Sequence, residues 1–123
     1  MKKLLLIVLG IHIVLETLVG GILALSPNTV MPDATGTELS GLVVQGMCAL
    51  AMVVLAIWLL FYRDQLPALS VGLGTLASFH SLIIVSLALT MPAADQLVGY
   101  THHLLLAVAF WFLWARRNTM ASV

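Results

Sequence analysis

The side chains able to do chemistry are few in this chain, and they sit inside its most apolar stretches. His12 and Glu16 interrupt the first stretch, His80 the third, and His102 with His103 the fourth, while Gln45 and Cys48 stand in the second. Neutral imidazole with carboxylate is a ligand set for iron, copper, nickel or zinc. Two histidines on facing helices can clasp a haem, as helix bundles do with other cofactors. A histidine and a buried carboxyl are also the usual carriers in general acid–base chemistry. Finally, chains of Glu and His inside a membrane act as proton relays in pumps and transporters. The candidate catalytic residues are therefore Glu16 and His80, and the candidate ligand-binding residues His12, Gln45, Cys48 and His103. The candidate metal ligands are His12, Glu16, His80, His102 and His103. The HxxxE spacing of His12 and Glu16 matches no established metal motif.

Composition sets where these residues must work. Of 123 residues, 62% are hydrophobic and only 8% charged, and the mean hydropathy is +1.13. A soluble domain carries about 25% charged residues, so this chain cannot coat itself in polar surface. Disorder needs low hydrophobicity and high net charge, and is excluded with it. Five basic and five acidic residues give zero net charge, so no nucleic-acid footprint is present. A single cysteine excludes a disulfide framework, a CxxC pair and a cysteine zinc site.

Crossing a membrane takes about 20 mostly apolar residues in a helix. Four segments qualify, at about 4–25, 41–62, 67–90 and 97–115 by the same criterion. They are separated by breaks at residues 26–40, at Arg63-Asp64-Gln65, and from Met91 to Gln96. The unbroken apolar runs exclude barrel strands, which alternate apolar and polar residues. The expected fold is all-α: one polytopic domain over residues 1–123, a bundle of four transmembrane helices. Lys2, Lys3, Arg63, Arg116 and Arg117 all flank the same side, which the positive-inside rule makes cytoplasmic. Both termini are then cytoplasmic, in a bacterial-type plasma membrane. Trp58, Phe61, Tyr62, Trp111, Phe112 and Trp114 precede the arginines and read as a lipid-facing interfacial belt. His12 and Glu16 interrupt what would otherwise imitate a signal peptide, so the first span reads as a retained helix.

Helical geometry then sorts the candidates by height and face. At a 1.5 Å rise, Glu16 lies roughly 13 Å, His80 roughly 15 Å and His12 roughly 20 Å from the outer ends of their spans. Gln45, His102 and His103 lie roughly 6–9 Å deep. His12 and Glu16, four residues apart, share one helix face. Gly41, Gln45, Cys48, Ala49, Met52 and Ala56 form a stripe expected to face the other helices, with Cys48 shielded from lipid. Gly72, Gly74, Ser78 and Ser81 form a small-residue surface suited to helix packing. His102 and His103 diverge by about 100°, so one of them is expected at the shared centre.

Four spans, termini inside and a polar first helix: this layout resembles the DoxX-like group of small bacterial membrane proteins. The residues that carry it are the Gly10 to Gly21 region, Ser26-Pro27, Val44-Gln45-Gly46 and His102-His103. The resemblance implies the architecture and no particular activity. Glu16 is also placed similarly to the proton-coupled glutamate of small multidrug resistance transporters. The one-sided charge bias and the long first break depart from that family and argue against dual insertion.

The expected function is a small integral membrane protein with an intramembrane Glu/His pocket for a small hydrophobic ligand, a metal ion or a haem, with proton transfer as its chemistry. A proton-coupled carrier and a non-catalytic accessory subunit are the alternatives. The partners implied are the lipid bilayer and either a second copy or a larger membrane complex. The near-equal depths of Glu16 and His80 predict that they serve one site. Removing one member of a charged pair costs about 3–5 kcal/mol, because it strands the other. Thermal melts in detergent of Glu16→Gln, His80→Ala and the double variant check this. The double variant is expected to lose less than the two single losses together; strict additivity contradicts a shared site.

Overall fold

The computed structural model describes residues 1–90 and 97–121, and among them there are helices and turns but no strand. Four long helices run in chain order: α1 Lys2–Leu25, α2 Gly36–Phe61, α3 Leu66–Thr90 and α4 Leu97–Ala115, followed by the single turn α5 Asn118–Ala121. Three of them, over Lys2–Leu25, Gly36–Phe61 and Leu66–Leu89, are long and apolar enough to cross a membrane. The third break, with Asp95, lies outside the described residues.

Local sequence explains the helix ends. Ser26-Pro27 follows α1, and proline cannot continue a helix; a short 3-10 turn, Pro27–Thr29, takes its place. α2 starts five residues earlier than hydropathy suggests, at Gly36. Its φ of +53° is one that side-chain-bearing residues rarely adopt. The extra turn is polar, which a hydropathy count misses, yet Glu38 there complements the positive end of the helix dipole. Pro67 occupies the first turn of α3, where its missing N–H costs nothing.

The chain divides into two compact units, Met1–Val8 with Leu59–Val123, and Leu9–Trp58. In the first unit, α3 and α4 pack antiparallel. Trp114 Nε1 donates to Ser70 O at 3.0 Å, and ten residues further along α3 His80 meets His103, eleven residues back along α4. The helices therefore stay in step over about 15 Å. Leu69, Leu73, Leu76 and His80 form the buried stripe of α3, and His103, Leu106, Ala107, Phe110 and Leu113 that of α4. Both stripes follow the three-and-four spacing of one helix face. Gly72 lies against Leu59, whose Cδ1 would overlap a Cβ at that position, so this part of the small-residue surface does serve packing.

The end of this unit where α3 begins gathers the basic residues. Lys2 Nζ donates to Asp64 Oδ1 at 2.8 Å, joining the start of α1 to the turn before α3. That hydrogen bond holds the Asp64 carboxyl below its ordinary range. Arg117 donates from Nε to Ser70 Oγ and from Nη1 to Trp114 O, and its guanidinium carbon lies 4.0 Å from the centre of the Trp114 ring. Trp111 Nε1 donates to Ser81 Oγ. The expected lipid-facing belt is thus corrected in part. Trp114 turns its polar edge onto α3, because a half-buried indole N–H needs an acceptor, while Trp111 keeps its ring exposed.

In the second unit, α1 meets α2 through glycines. A Cβ on Gly46 would stand 2.5 Å from Ala24 N and 2.7 Å from Gly20 O, and one on Gly20 would stand 3.0 Å from Ala49 Cβ. Gly46, Ala49, Val53 and Ala56 form the buried face of α2. This corrects the expected inward stripe. Ala49 and Ala56 belong to it, but Gly41 and Cys48 are exposed, and Gln45 and Met52 are half-buried. The seam is turned by about one residue, 100°, because close backbone approach requires the glycine at 46 rather than the longer Gln45 beside it. The expected shielding of Cys48 is reversed: a maleimide confined to the lipid phase should label Cys48 rapidly in the folded protein. Protection of Cys48 until unfolding would contradict this face assignment.

Candidate imidazole site

On the buried faces of α3 and α4, the long stripe of leucines and alanines is broken once on each helix, by His80 and by His103. Both rings are almost fully withdrawn from solvent. Their Nδ1 atoms lie 2.8 Å apart, a direct imidazole–imidazole hydrogen bond. Such a bond needs a donor and an acceptor, so one ring carries its proton on Nδ1 and the other offers a lone pair there. The second ring, when neutral, then holds its proton on Nε2.

Aromatic side chains frame the pair. Phe110 stacks on His80, with centres 5.6 Å apart and planes 14° from parallel, and Phe79 meets His80 edge-on at 5.2 Å. His102 stacks on His103 at 4.8 Å and 11°, and its ring centre lies 6.3 Å from that of His80. Three imidazoles therefore form one cluster. His103 makes the direct bond to His80, while half-buried His102 adds a second layer.

Zinc binds imidazole nitrogen at about 2.0–2.1 Å, which spreads two tetrahedral ligands to about 3.3 Å. A metal shared by these two Nδ1 atoms would displace the proton between them and part the rings. A haem clasped by His80 and His103 would need its macrocycle between rings that now touch. The 2.8 Å separation is that of a proton shared between the two rings.

The other unit holds a second pair. His12 and Glu16 lie on the buried stripe of α1, Leu9–His12–Glu16–Gly20–Leu23, and both are buried. His12 Nε2 lies 3.4 Å from Met52 O. A carbonyl only accepts, so His12 donates from Nε2, and its Nδ1, when the ring is neutral, carries the lone pair. A ring nitrogen of His12 and a carboxylate oxygen of Glu16 lie within 4.8 Å of each other. The pair can therefore pass a proton or share a cation.

Each unit holds some of the sequence candidates. His80, His102 and His103 come together on α3 and α4, and His12 and Glu16 on α1. Gln45 is half-buried and Cys48 is exposed. Sequence reasoning missed Phe79, Phe110 and the Met52 carbonyl. Phe110 was within reach, since it follows His103 by seven residues on the same helix face; a backbone acceptor leaves no mark in a sequence. Comparison with protein-family models, with curated proteins and with solved structures finds no match to this chain.

Proposed function

We propose that the chain is a small multi-pass protein of a bacterial-type plasma membrane, with four spanning helices and cytoplasmic termini, in which His80 and His103 handle a proton for a small hydrophobic ligand. Three long apolar helices and the one-sided basic residues support the membrane placement. The apolar run of α4 supplies the fourth span, and the DoxX-like resemblance rests on this same layout without adding an activity. The observation that carries the chemistry is the 2.8 Å bond between two buried imidazoles.

A proton arriving on one ring can cross the N–H···N bond from Nδ1 to Nδ1. The receiving ring then bears two protons and releases one from Nε2, so the pair works as a two-station relay. The aromatic frame of Phe79 and Phe110 keeps the stations apart from water, which strengthens the bond. A lipid-soluble ligand with an ionisable oxygen or nitrogen at either Nε2 would exchange its proton through them. His12 and Glu16 supply a second acid–base pair of the same kind.

The test is a pH titration of ¹⁵N-histidine-labelled protein in nanodiscs, read at each ring. His80 and His103 are expected to titrate as one coupled system in two shared steps, and His103→Phe to leave His80 a single step. Independent curves in the native protein would contradict the relay. So would a Soret band or stoichiometric metal in the purified protein that disappears in His80→Ala, since either places a cofactor where the proton should be.

A further inference from the structure

We propose that the basic end of the first unit binds the phosphodiester headgroups of anionic phospholipids, through Lys3, Arg63 and Arg116; the inference rests on the membrane placement above.

All five basic residues of the chain belong to this unit. Its contacts explain why they share an end: Lys2 reaches the turn before α3 through Asp64, and Arg117 with Trp114 reaches the first turns of α3 through Ser70. The start of α1, the end of α2 and the end of α4 therefore surround the start of α3. The acid described at this end, Asp64, is engaged by Lys2. Arg117 is half-buried and committed to Ser70 and Trp114.

Three cations remain exposed, each on a different helix end. Arg63 spends one nitrogen on Leu60 O, and the side chains of Lys3 and Arg116 make no hydrogen bond or ion pair among the described residues. Like charges held together without counter-charges repel one another, and an anion relieves that repulsion. Where the helix ends meet a bilayer, the nearest anions are lipid phosphates, which attract Lys and Arg by about 1 kcal/mol each near the surface. Phe61 and Tyr62, both exposed and directly before Arg63, lie at the level where aromatic side chains meet headgroups. An acidic protein partner would find the cations but gain nothing from aromatics at that level.

The tryptophans of α4, Trp111 and Trp114, make the test direct. The full chain is reconstituted in vesicles of phosphatidylglycerol mixed with phosphatidylcholine, with one lipid or the other carrying brominated acyl chains. Quenching of tryptophan fluorescence gives their relative association constants. Phosphatidylglycerol is expected to be preferred at low salt. Each of Lys3→Gln, Arg63→Gln and Arg116→Gln is expected to reduce that preference about fivefold, and Lys3→Arg, Arg63→Lys and Arg116→Lys to retain it. Equal quenching by both lipids, as an acidic protein partner would leave, or glutamine variants that bind as the native chain does, would overturn the proposal alone. Displacement of the preferred lipid by millimolar inorganic phosphate would also overturn it, in favour of a soluble anion. Failure to enter vesicles of either composition would overturn the membrane placement and this proposal with it.

Discussion

A polar ring buried among apolar side chains must be given a hydrogen-bond partner, and α3 and α4 satisfy that constraint by bonding their two buried histidines to each other. Leaving a buried donor or acceptor unmet costs about 1–3 kcal/mol. An exposed ion pair such as Lys2–Asp64 is screened by water and contributes little. The buried bond therefore outweighs the surface pair in holding the helices in step. A shift of α4 by one residue would break the His80–His103 bond and carry Trp114 away from Ser70 as well. Packing and polarity thus enforce one register, and that register brings His102 and Phe110 to the pair.

The other unit meets the same constraint differently. His12 has no second imidazole on α2 to bond, and it turns to a backbone carbonyl, that of Met52. A helical carbonyl already accepts one hydrogen bond from four residues on and keeps a second lone pair. Reaching it requires the two backbones to run close. Gly20 and Gly46 allow this, since a side chain at either position would press on the opposing helix. Glycine at the seam and histidine on the stripe are two parts of one solution.

Much of this was legible in the sequence, because burial in an apolar chain is periodic. Leu69–Leu73–Leu76–His80 can be read directly as one helix face, and so can Leu9–His12–Glu16, which places three of the candidate residues inside. The helix ends of α1, α3 and α4 were legible from proline and charge. What failed was rotation. Gln45 and Cys48 look like the functional side of α2, but the tightest contact belongs to Gly46, and one residue of rotation turns Cys48 outward. Both His102 and His103 join the cluster, since stacking lets the second ring follow the first.

The central claim is that a proton lies between the Nδ1 atoms of His80 and His103. Through-bond ¹⁵N–¹⁵N coupling across that hydrogen bond, measured by NMR on ¹⁵N-histidine-labelled protein in a bilayer, tests it most directly. A cross-peak joining the two Nδ1 nuclei, with one ring protonated at Nδ1 and the other at Nε2, is the predicted result. Two rings both protonated at Nε2, with no coupling between them, would contradict it.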